Sequence, residues 1–356
     1  PWISRLEFRV GNEDVDASVN EYRLRLSPTT PAEIKANKRY YEHQVNMLNS
    51  QQQLAINNAL FTRYMLIIEL NYLLERKQLL QEQIQFQNLF INRLSSRGSE
   101  SLNLKDLVSV QNEQSKTLFK LEEIETSIAE VLFYIGLDYK SATNDFAPIK
   151  EIIEIPQIKS YLEIANSQTE KQNLQTELIK SELELSRLEW NVDKAKSRSN
   201  IGYIQSNLDT DKGDVIGDKV SFQVGVRIPI VNPSKPSLNR KAVELLEDEA
   251  KAESKITQLQ QEQELNTMLF LRLLNKHQVV LDRITLAESL VTSPLSQMEW
   301  SQIVALKSYQ LQLLEEKLQT EKQIREEYID YVNSTRGLLG SPILNYLSSS
   351  LNPVTE

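Results

Sequence analysis

Only two histidines, His43 and His277, occur in this chain of 356 residues, and imidazole is the side chain best suited to proton transfer and metal binding near neutral pH. They fall on separate helical stretches, and His277 is isolated among apolar neighbours. A metal site needs several ligands at set spacing, so a packed or lumen-edge histidine is the expectation. The run Asp209-Thr-Asp-Lys-Gly-Asp214 carries oxygen ligands that resemble a calcium loop. Its glycine is out of place for an EF-hand, and Val220 stands where the bidentate Glu should be, so a solvated hairpin tip is expected. With Glu13, Asp14 and Asp16, the residues Asp209, Asp211 and Asp214 would make an acidic rim able to hold divalent cations loosely. Neither a glycine-rich phosphate loop nor a GxSxG elbow occurs, and there is no cysteine. No catalytic, cofactor-binding or metal residue is expected, and no enzyme.

Composition excludes further classes. A net charge of −9 argues against nucleic-acid binding, which needs basic clusters to neutralise phosphates. The absence of cysteine excludes disulfides, thiolate metal sites and a lipidated N-terminal Cys, and it fits an oxidising compartment. No apolar run reaches the ~18 residues of a transmembrane helix. The chain opens at Pro1 without Met and shows no signal peptide, so residues removed upstream are expected. Only 9 Gly and 11 Pro imply few turns and long elements.

Those elements come in two similar sets. In Val220–Ile230, Val220, Phe222, Val224, Val226 and Ile228 alternate with polar residues, the mark of a strand with one apolar face. Pro229, Pro233 and Pro236 end any ladder, and a helical period runs from Ser237 to Thr292. An earlier, shorter copy has Tyr22, Leu24 and Leu26 alternating with Arg23 and Arg25, then Pro28, Pro31 and a helix over Ala32–Leu94. Internal duplication means two equivalent units. Leu6, Phe8 and Val10 supply the first strand of a hairpin over residues 4–27, and Ile201–Leu208 pairs with Val220–Ile230 in a second.

The Ala32–Leu94 helix should run about 95 Å. Leu66, Leu73, Leu80 and Leu94 recur at seven-residue steps, with Leu70, Ile84 and Ile91 between, and Lys77 and Gln87 interrupt this coiled-coil seam. The second long helix carries a stripe of Ile256, Leu259, Phe270, Leu273, Val280, Ile284 and Val291. Return helices are expected at Asn103–Ile135 and Met298–Arg336, a further helix at 159–198, and a short strand within Ile149–Ile155. The resulting divisions are 1–30, 31–137, 138–158 (a connector), 159–200, 201–232, 233–338 and a tail at 339–356.

Four amphipathic strands cannot close a sheet, and open edges are costly in lipid. Several protomers pooling their hairpins into one barrel, with the helices continuing as a tube, satisfies both constraints. A lipid-facing strand needs about nine to eleven residues, which Val220–Ile230 provides. A soluble coiled-coil scaffold is the alternative, and it leaves the alternating strands unexplained.

The order of elements, together with Val224-Gly-Val-Arg-Ile-Pro-Ile230 before a long Ala/Glu/Leu/Gln-rich helix, resembles the TolC-like outer-membrane efflux protein family, the outer-membrane factor channel-tunnels. The resemblance implies a mainly α fold with a small β part. Two repeats of long antiparallel helical hairpins would form an α-barrel tunnel, and four strands per protomer would enter a trimeric twelve-stranded transmembrane β-barrel. It also implies a homotrimer in the outer membrane of a Gram-negative bacterium, with a helical periplasmic extension. A periplasmic adaptor and an inner-membrane pump would be its partners, outer-membrane lipid its surroundings, and small molecules or polypeptides its cargo, in a tripartite efflux or type I secretion system. No nucleic acid and no cofactor are implied. Each family repeat has a helix before its hairpin, whereas repeat one here begins at the strand, so either a helix lies upstream of Pro1, the favoured reading, or the tunnel wall is built differently.

By the same resemblance, acidic residues early in the second return helix form a cation-favouring constriction at the periplasmic tip. Glu299 matches the first acidic position, Gln302 departs from the second, and Asp106 is the repeat-one counterpart. An ordinary helix N-terminal acid is the alternative for Glu299. Trp2 and Trp190 fall where indoles anchor at a membrane interface, with core packing equally open for Trp190. Trp300 belongs to the tip.

Overall fold

The structure, a computed structural model, describes residues 3–11, 20–96, 104–137, 151–167, 173–198, 201–210, 220–226, 235–291, 300–335, 337–339 and 343–351. The elements in chain order are β1 (Ile3–Gly11), β2 (Asn20–Pro28), α1 (Pro31–Ser96), α2 (Leu104–Ile135), α3 (Ile155–Ser167), α4 (Leu174–Ser197), β3 (Ile201–Thr210), β4 (Val220–Val226), α5 (Lys235–Val291) and α6 (Trp300–Thr335). The fold class is the mainly α arrangement with a small β part expected from the sequence.

Local chemistry sets the element ends. Thr30 caps α1: its hydroxyl accepts from the Glu33 N–H at 3.2 Å, and Pro31 takes the first helical position, where a missing N–H costs nothing. The far end of α2 is closed by Gly136, at φ +87. Its N–H donates to Phe133 O at 3.0 Å, and the Leu137 N–H donates to Leu132 O at 2.9 Å, the paired bonds of a Schellman cap. Pro236 lies in the first turn of α5 rather than before it, because proline's fixed φ suits that turn.

Two compact units result, and they do not follow the repeats. One comprises Pro1–Gln52 with Gln175–Leu259; the other comprises Gln53–Leu174 with Gln260–Glu356. Each draws on both repeats.

The first unit holds one antiparallel sheet in the order β1-β2-β3-β4. The two expected hairpins are therefore joined, through pairing of β2 with β3 from Asn20↔Thr210 to Leu26↔Ile204. β4 is described to Val226, short of the expected Ile230. Gly225 lies beneath the Tyr203 ring, where a Cβ would clash, so glycine permits this close cross-strand packing. Beside the sheet, α4 meets the early turns of α1 and α5 through polar contacts. Lys241 bridges Glu189 at 2.9 Å and Asp193 at 2.5 Å, and Arg187 meets Glu249 at 2.9 Å.

The second unit holds the main apolar core. Ile68 of α1, Ile158 of α3, Phe270 of α5, and Ile324 and Ile329 of α6 pack with Ile153 and Leu338. A fully buried side chain of this size contributes about 1.5–3 kcal/mol. The α1–α2 seam forms as expected around Leu70, Leu73 and Leu80 against Ile124, Ile128 and Leu132. Gln87 is buried in it and donates to the Thr117 hydroxyl at 3.3 Å, while Lys77 reaches Glu125 at 2.8 Å. Val280, Ile284 and Ala287 of α5 pack on Leu313 of α6.

The helix expected over 159–198 is described as α3 and α4, and residues 168–172 lie outside the described residues. Of the short strand expected within Ile149–Ile155, the described residues 151–155 form one isolated antiparallel bridge, Ile152↔Ser348. The described part of the tail joins the core: Tyr346 and Leu347 are buried, and the Tyr64 hydroxyl donates to Leu344 O at 3.0 Å while accepting from the Tyr346 N–H.

Candidate functional site

Strand alternation gives the sheet two chemically opposite faces. One carries Leu6, Phe8 and Val10 of β1 against Leu26, Leu24 and Tyr22 of β2. Through Leu208 and Ile204 of β3 it continues to Val220, Phe222 and Val224 of β4. Ser206 is the one polar residue in these rows. Phe8, Phe222 and Val224 are 64%, 75% and 66% exposed, so the face is an open apolar surface spanning all four strands. Surfaces of that kind mark a membrane or partner contact.

The other face is polar. Arg5, Glu7 and Arg9 lie opposite Ser27, Arg25 and Arg23, followed by Tyr203, Gln205 and Asn207, then Gly225, Gln223 and Ser221. Glu7 meets Arg5 at 2.6 Å and Arg9 at 3.2 Å. The Arg25 guanidinium is stacked 3.7 Å from the Tyr203 ring centre, a cation–π contact that fixes its position. Among the described residues, β1 and β4 each pair on one side only.

The residues singled out by sequence fall unevenly on this structure. Glu299, Trp2, Glu13, Asp14, Asp16, Asp211 and Asp214 lie outside the described residues. Asp106 is the third residue of α2, and Gln302 is an exposed third residue of α6. Asp209 sits in β3 with Glu21 as its register partner. Trp190 is half-buried on α4 beneath Lys194, whose Nζ is 4.3 Å from the ring centre; its Nε1–H is buried and has no hydrogen-bond partner among the described residues.

Both histidines are held by hydrogen bonds. His43 Nε2 lies 2.8 Å from Ser181 O and so carries the proton there. His277 is buried, with Nε2 at 3.2 Å from Glu321 Oε1. No group of three or more His, Asp or Glu placed to hold a metal occurs among the described residues. Burial works to raise the Glu321 carboxyl, yet its bond to His277 and the nearby Lys317 and Arg325 hold it below the usual range. Nearby on α6, burial raises Glu326, Glu327 and Asp330, with Asp330 and Glu326 reinforcing the effect on Glu327. Sequence periodicity gave no sign of this half-buried acid cluster, because Glu on a long helix reads as solvated surface.

Among the described residues, no helix is long and apolar enough to cross a membrane. No family model matches the sequence, and no curated protein matches it. Solved structures do match. The outer membrane protein VceC from Vibrio cholerae aligns at TM-score 0.70 and 10% identity, over 94% of this chain and 85% of that one. The outer-membrane channel OprN aligns at 0.67 and 10%, over 94% and 80%. The Campylobacter jejuni CmeC outer membrane channel aligns at 0.60 and 9%, over 93% and 76%. Identity this low defines the fold. That fold is the one these outer-membrane proteins share, as the resemblance to the TolC-like family implies.

Proposed function

We propose that the chain is one protomer of an outer-membrane channel-tunnel. The observation that carries this is the four-stranded sheet with one exposed apolar face and, among the described residues, two open edges. In hydrocarbon every backbone group must be paired, so such a sheet is viable only when copies join edge to edge and close. The apolar face then meets lipid and the polar face lines the lumen, the alternation of transmembrane barrels. Three copies of four strands give the twelve-stranded barrel of the family. A soluble scaffold would gain nothing from the exposed rows of Phe8, Phe222 and Val224.

Within this proposal the protein is a duct. An inner-membrane pump supplies the energy, a periplasmic adaptor docks the helices, and cargo leaves through the barrel, in tripartite efflux or type I secretion. The chain's own chemistry is the selectivity of its narrow points. Glu299, with Gln302 and Asp106, would form the periplasmic gate, where symmetry brings like carboxylates together and raises negative potential. Glu13, Asp14, Asp16, Asp209, Asp211 and Asp214 would form the outer rim, and Trp2 and Trp190 the interface anchors. Planar-bilayer recording of the purified chain tests this. Discrete conductance steps are expected; a membrane left silent by inserted protein would remove the proposal.

A further inference from the structure

Across three register levels the polar face of the sheet carries mainly positive charge, in a chain whose net charge is −9. Its described charged side chains are four guanidiniums, Arg5, Arg9, Arg23 and Arg25, against one carboxylate, Glu7. Arg9 and Arg23 are direct register partners. Like charges directly opposite each other weaken a strand pair, which the Glu7 bond to Arg9 offsets in part. Glu7 is held between Arg5 and Arg9, and Arg25 is stacked over Tyr203, so these three guanidiniums have fixed partners on the face. A positioned guanidinium suits phosphate and carboxylate, which it meets through two parallel N–H donors. At the next register level towards the strand connections, Glu21 and Asp209 are partners.

We infer that this band is a binding ring for polyanionic solutes, carrying phosphate or carboxylate groups, as they pass the barrel. The inference rests on the channel proposed above, in which this face lines the lumen. Each copy that joins the barrel adds four guanidiniums and one carboxylate to the same ring. Low-dielectric walls around a lining of mainly one sign concentrate counter-ions within it. Gln205, Gln223 and Asn207 at neighbouring register positions add neutral amides without altering the sign.

The test is block of single-channel current by inorganic tripolyphosphate. Full-length protein is placed in a planar bilayer of zwitterionic lipid, so that no lipid headgroup competes as a net anion, and the probe is added to each side in turn. Block from at least one side is expected, weakening as salt rises. The Arg9→Gln, Arg23→Gln double variant should need about tenfold more tripolyphosphate for half-block, while Arg9→Lys with Arg23→Lys keeps most of the sensitivity. If the double variant fails to assemble, Arg9→Gln alone, on an edge strand, should still weaken block. Conductance with no block in the native chain, or equal block in the glutamine variants, overturns the ring and leaves the channel standing. A native chain without conductance removes both.

Discussion

Asn57 shows what one polar side chain holds in place. Its amide donates to Asn333 Oδ1, and its own Oδ1 accepts from the Leu338 N–H at 2.6 Å, just past Gly337, which adopts φ +71 beside Leu174. Asn57→Ala would orphan a buried N–H, so a loss of about 1–3 kcal/mol is expected in chemical unfolding, with Asn57→Asp recovering part through its retained acceptor. Glu299 belongs to this scale as a functional residue. Glu299→Ala is expected to weaken cation preference in bilayer reversal potentials, and unchanged selectivity would remove it from the gate. The heptad leucines and Gln87 were legible from spacing alone, whereas Asn57, Glu321 and Tyr64 were not. Their roles depend on partners more than 40 residues away, such as Leu338, His277 and Tyr346, which no local pattern encodes.

At the scale of elements, β4 gives a direct comparison, because neighbouring residues face opposite surroundings. Val224→Arg puts a charge on the apolar face and should cost about 2–4 kcal/mol near a bilayer midplane, read as a lower folded fraction in lipid vesicles. Gln223→Arg, one residue away on the polar face, should fold normally. The acid cluster on α6 predicts a pH effect of opposite sign to an ordinary ion pair. Glu326, Glu327 and Asp330 have folded values above their unfolded ones, so between those values the folded state binds more protons. Stability contributed by these groups therefore falls as pH rises through that interval. Glu327→Gln should raise Tm at pH 8 relative to the native chain, and the gain should vanish near pH 4; an unchanged Tm at pH 8 would remove the cluster as a source of strain. Glu321 acts oppositely, stabilising above the ordinary carboxylate range and losing that contribution as pH falls through its lowered value.

For the whole molecule, element order and strand alternation were readable because each is a local periodicity. The partition into compact units was not. It follows from β2 pairing with β3, and from α1, α3, α5, α6 and the C-terminal segment sharing one core around Phe270 and Ile324, all contacts between distant parts of the chain. Among the described residues the outer edges of β1 and β4 have no strand partner, and closure by further copies is the proposed answer. The mass of the purified protein in detergent, corrected for bound detergent, tests this most directly. Particles of three chains are expected, against a chain that remains a single copy and stays in solution without detergent, which would contradict the channel.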